Sequence, residues 1–198
     1  MRAYLDDTEL PGPLPTLAEA LDAARTAAGA RGRIIIEASA DGQPLSDDTL
    51  EHPAALPTQP ASVQFLSANP GAMVREALRG AADALESARD DQASLVASLD
   101  AANLGDARRR LDRVLTAWSA CVATVRDGGA LLNLDLARPV AGASPNSRVA
   151  TLSGTLVEVK RCLNAQDWAG LSDVVLHDLE PQSRDWDAML KAMAESLA

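Results

Sequence analysis

The chain has 198 residues, 47% hydrophobic and 23% charged, which excludes a disordered chain and allows one domain, or two small ones, with a proper core. A net charge of −10 and a pI near 4.6 repel phosphate backbones and anionic headgroups, so neither nucleic acid nor a membrane is an expected partner. Aromatic residues make up only 3%, so the core must be mostly Ala, Leu and Val, which suits close-packed helices better than ring-lined cofactor pockets.

Residues 1–67 read as a small α+β unit. "RAYLDD" is a short strand, and Pro11, Gly12, Pro13 and Pro15 punctuate the turn after it. Thr16 is placed to cap a helix over "LAEALDAARTAAGA", in which Leu17, Ala20, Leu21 and Ala24 make one apolar side and Gly29 and Gly32 mark the end. β-Branched residues in "RIIIEASADGQPLS" lead into Asp41-Gly42, the strongest hairpin signal in the chain. A Pro-broken loop, which holds His52, then precedes the strand "SVQFLSA", where Val63 and Phe65 alternate with Ser62 and Gln64.

The order strand, turn, helix, strand, Asp-Gly turn, loop, strand resembles the ubiquitin-like β-grasp, chiefly through "IIIEASADGQPLSDDTL" after the helix. The resemblance covers about a third of the chain. Conjugating or sulfur-carrying members of that family end in a free Gly-Gly after the last strand. Here the strand runs on into "SANPGAM", and Gly128-Gly129 is internal, so the resemblance implies a binding or structural module rather than conjugation.

From residue 68 to 198 the period is helical, and an antiparallel bundle of four to five helices is expected. Asn69 can cap, with Pro70 at the first helical position. Val74, Leu78, Ala81, Leu85, Ala88, Gln92, Leu95 and Leu99 step in a heptad rhythm with one polar member. "NLGD" breaks that helix, and a second seam runs Leu104, Ala107, Leu111, Val114, Trp118, Cys121 and Val125, with Gly128-Gly129 expected to fray or kink its end. After the loop "LDLARPVAGASPNS", a third seam runs Val149, Leu152, Leu156, Val159 and Leu163. One helix is expected from Trp168 and another after Pro181, the last a separate or kinked continuation. "LDAANLGDA" (99–107) and "LNAQDWAGL" (163–171) echo each other as corners of helical hairpins.

Specific chemistry finds little support. Asp173 and His177 are four apart, but on a helix Trp168, Leu171, Val175 and Leu179 would face inward and Asp173, His177 and Glu180 outward. With the second histidine in the other half, too few ligands remain for zinc or iron. Cys121 and Cys162 read as buried free thiols, and a bridge between them would require their helices to pack together. The paired acids Asp6-Asp7, Asp47-Asp48 and Asp90-Asp91 fall at turns or polar helix faces, and no GxSxG, GxxxxGK[ST] or GxGxxG stretch occurs. "RRRLDR" (108–113) reads as a solvated face with Arg108 and Asp112 spaced to pair. No catalytic, metal or cofactor residue is therefore assigned.

Trp118 occupies a seam, while Trp168 and Trp186 bracket the final hairpin and are the candidates for a partner interface. The tail pattern D-W-x-x-L-x-D-x-x-x-x-D-L-x-P also resembles the C-terminal helices of bacterial proteins of uncharacterised function, which implies no activity. Sixteen Arg against two Lys, with abundant Ala, point to a GC-rich bacterial genome. Without an apolar h-region or a long apolar run, a cytoplasmic location is expected. The expected function is non-enzymatic: an adaptor working by protein–protein contact, with a homodimer as one form because Ala/Leu seams can continue between chains. A secretion or flagellar export-type chaperone is one alternative, suggested by the acidic helical half. An enzyme or small-molecule binder with a site between the halves, near residues 137–147, is the other.

Overall fold

The computed structural model describes residues 1–53 and 59–197. Residues 54–58, the middle of the expected Pro-broken loop, lie outside the described residues, as does residue 198. The fold class is α+β, and the chain divides into two compact units, Met1–Met73 and Val74–Ala198.

The first unit is a five-stranded mixed sheet with one helix packed on it. Its strands are β1 (Arg2–Leu5), β2 (Thr8–Glu9), β3 (Ile34–Ala40), β4 (Gln43–Pro44) and β5 (Ser62–Ala68), in the spatial order β2-β1-β5-β3-β4. β5 is central, parallel to β1 and antiparallel to β3. Helix α1 (Leu17–Gly29) starts in a full capping box: Thr16 accepts from the backbone of Glu19, and the Glu19 carboxylate accepts from the backbone of Thr16. Its stripe of Leu17, Ala20, Leu21, Ala24 and Ala28 is buried with Ala3, Leu5, Val63 and Phe65, as helix and strand periods require.

Two features of this unit were not expected. The turn expected of the Asp6-Asp7 pair, with φ of 47° and 63°, ends the "RAYLDD" strand early and closes a β1–β2 hairpin that the sequence did not announce. Aspartate tolerates the left-handed region that such a turn demands. Asp6 then accepts hydrogen bonds from the Ser67 amide (2.8 Å) and hydroxyl (2.6 Å), tying the hairpin to the end of β5. Secondly, Ser46 caps a short helix, α2 (Asp47–Glu51), so His52 follows a helix rather than sitting in open loop.

The second unit is a helical bundle of α3 (Pro70–Asp100, its first turn shared with the first unit), α4 (Leu104–Leu132), α5 (Pro145–Ala165), α6 (Trp168–Val174) and α7 (Glu180–Ser196). Every member of the α3 seam is buried, including Gln92 at 1% exposure. Gln92 tolerates this because its side-chain amide donates to the buried Ser183 hydroxyl at 3.1 Å, and Ser183 donates to the Leu179 carbonyl.

α4 does not fray at Gly128-Gly129; it continues to Leu132 with both glycines buried. A Cβ on Gly128 would lie 2.7 Å from Val74 Cγ1, and one on Gly129 would lie 3.0 Å from Leu136. The pair is there for close approach. Pro181 falls in the first turn of α7, as expected, and that helix is joined to α6 without a break. A π-turn (Val175–Leu179) joins α6 to α7, with the Glu180 amide donating five residues back to Val175. Proline lacks the N–H that the His177 carbonyl would need in a regular α-helix, and the wider turn relieves the clash with that carbonyl.

Candidate functional site

The two echoing corners adopt the same geometry. Ala102 and Gln166 take left-handed φ of 54° and 53°. The Asn103 amide donates to the Ser98 carbonyl and the Asp167 amide to that of Cys162, satisfying orphan carbonyls at the two helix ends. Asn103 then caps α4 by accepting from Asp106, and Asp167 caps α6 by accepting from Gly170. Each new helix thus begins with a large apolar residue, Leu104 or Trp168.

Both corners contribute to one groove of 590 Å³ within the second unit. Leu95 and Leu99 of α3, Leu163 of α5 and Trp168 and Leu171 of α6 face it, and α4 supplies a wall from Leu104 to Leu115. At 1.5 Å per residue that wall is ~16 Å long, about three helical turns. Leu104, expected to pack in the α4 seam, is instead 44% exposed. It is the first residue of α4, and the seam is open at this end. Trp168 is half-buried in the same groove.

The polar groups lining the groove are Arg108, Arg109 and Asp112. Arg108 and Asp112 do not form the expected ion pair; among the described residues neither has a charged partner within 4.0 Å. The acids of the "RRRLDR" cluster come from elsewhere. Asp91 of α3 accepts from Arg110 (3.2 Å) and Arg113 (2.7 Å), and Asp106 accepts from Arg110 (2.6 Å) and Arg109 (3.0 Å). Arg110 and the Ser98 hydroxyl together hold the Asp106 carboxyl down at about 2. These bonds clamp α3 to α4 beside the groove.

Trp186 is 1% exposed and meets the equally buried Trp118 edge to face, with ring centroids 5.5 Å apart. Of the two bracketing tryptophans, only Trp168 reaches the groove. Asp173 and His177 are both exposed, and no ion pair joins them. Glu180, expected to face solvent with them, is partly buried and bridges Arg89 of α3 (3.2 Å) and Arg184 (2.8 Å). The π-turn between Asp173 and Glu180 shifts the register on which that expectation rested. Among the described residues no three His, Cys, Asp or Glu side chains gather to hold a metal ion. Cys121 and Cys162 are free and buried, and burial pushes the Cys121 thiol up to about 11, away from a reactive thiolate.

Sequence reading identified the two corners and Trp168 but not that the corners meet. The available signal was the first helical position after each N-cap, where a bulky apolar residue occurs twice.

The first unit, a small mixed sheet with a packed helix, is consistent with a β-grasp-like arrangement, and the helices that follow it make the chain an α+β protein. No protein-family model, curated protein or solved structure matches the chain. No helix among the described residues is long and apolar enough to cross a membrane.

Proposed function

We propose that this is a non-enzymatic, cytoplasmic interaction protein whose helical unit receives another protein in the groove between its two hairpin corners. The observation that carries the reading is the open seam: a core-forming leucine, Leu104, left 44% exposed beside a half-buried tryptophan in an apolar groove. Buried aromatic and aliphatic anchors within a polar rim are what protein interfaces use. The sheet offers less. Its edge strands β2 and β4 are two residues long, and the rest of the β3 edge carries a bulge at Ile35–Glu37, features that blunt strand addition. We read the first unit as a β-grasp-like structural module on its strand order and the helix α1 packed on its sheet.

A second reading has a specific observation in its favour. A volume of 590 Å³ lies within the range of small-molecule pockets, so the ligand-binding alternative moves from a cleft between the halves to this groove. Affinity purification from the native cell, with wild type and Leu104→Glu side by side, tests the protein-binding reading. A protein retained by wild type and lost from the variant supports it; the same proteins on both contradict it. A thermal-shift screen with metabolites tests the alternative.

A further inference from the structure

The groove's walls indicate what kind of protein segment fits it. We infer that the occupant is a short amphipathic helix that continues the open seam with apolar anchors and carries one acidic and one basic residue, a turn apart, against Arg108 and Asp112. This rests on the protein-binding reading above and goes further, to the partner's shape and charge.

Three observations converge. Exposed Leu104 and half-buried Leu115 stand at the two ends of the α4 wall, with buried Ala107 and Leu111 lining the groove between them, an apolar strip along one helix that another helix can lie against. The wall from Leu104 to Leu115 is ~16 Å long, room for about three turns of a partner helix. Arg108 and Asp112 are exposed, one turn apart and unpaired among the described residues, while neighbouring Arg109, Arg110 and Arg113 are all tied to acids. Unpaired opposite charges lining an apolar groove favour a partner with the complementary pattern and disfavour one with the wrong sign. Asp112 also argues against a long-chain carboxylate, which Arg108 would attract and Asp112 repel. A second copy is disfavoured by the chain's net charge of −10.

Stapled peptide helices of about four turns test this, since a staple offsets the weak helicity of short peptides. Each carries leucine anchors at i, i+3 and i+7 and differs only in its flanking pair: Glu/Lys, Glu/Glu or Lys/Lys. Binding to the full chain is followed by anisotropy at low salt, with circular dichroism confirming that each variant is folded. Wild type should prefer Glu/Lys by at least about threefold, the scale of exposed ion pairs. Asp112→Arg should shift the preference to Glu/Glu, and Arg108→Glu to Lys/Lys. Leu104→Glu should weaken all three.

Binding that ignores flanking charge in wild type and variants overturns this inference and leaves the groove as a protein site. Binding that survives Leu104→Glu overturns the groove itself, and the proposed function with it. Binding of dodecanoate where no peptide binds makes the occupant a small amphiphile and overturns the helix. So does a concentration-dependent dimer in sedimentation that Leu104→Glu abolishes, which would make the occupant a second copy.

Discussion

Gly128 shows how one missing side chain sets a helix contact. On propensity alone, alanine is better than glycine in a helix by about 1 kcal/mol. At position 128 the added Cβ would sit 2.7 Å from Cγ1 of Val74, a β-branched side chain with little freedom to turn away. Gly128→Ala is therefore expected to destabilise by about 1–3 kcal/mol in urea unfolding. In a Val74→Ala background the same change should become neutral or stabilising. Gly154 is the control: it is exposed on α5 with nothing within 4 Å, so Gly154→Ala should stabilise by up to about 1 kcal/mol. A stabilised Gly128→Ala single variant would mean that α3 and α4 are not in that contact. The Gly-Gly pair looked like a helix breaker because propensity is a local property, and close packing depends on which residue lies across the interface.

Elements were legible where period and capping agreed. The α3 seam is buried as its spacing requires, and Thr16 and Asn69 both cap as expected. What failed was register. Pro181 stands in the first turn of α7 as expected, but the π-turn just before it, Val175–Leu179, turns Glu180 away from the solvent face that regular helical spacing gives it. The pairing of "RRRLDR" was misplaced for a similar reason: spacing along one helix points to Asp112, while the acids that bind come from Asp91 across the hairpin and from Asp106 in the first turn. That tie has a pH signature. Asp106 is held at about 2 in the fold against 3.8 when free, so its contribution is complete above the free value and fades as pH falls through the folded one. Asp106→Asn should lower the urea midpoint near neutrality, with the gap to wild type narrowing between about pH 4 and pH 2. A gap that is constant with pH would show that the carboxylate's charge is not what clamps α3 to α4.

At the scale of the molecule, composition and periodicity were enough for the α+β class and the change from sheet to helices. They said little about function, since the site is made by two corners about sixty residues apart in sequence, a separation that tertiary packing alone closes. Their similarity was visible, but the exposure of Leu104 was not, because spacing alone reads a heptad position as buried. The central claim is that this open end of the seam meets another protein. It is tested most directly by a photo-crosslinking residue placed at Leu104 in the native cell, with the same residue at Leu131 as control. Leu131 is 44% exposed like Leu104 but lies ~40 Å away along α4. A discrete protein adduct at 104 and none at 131 is the predicted result; no adduct at 104, or equal adducts at both positions, would contradict it.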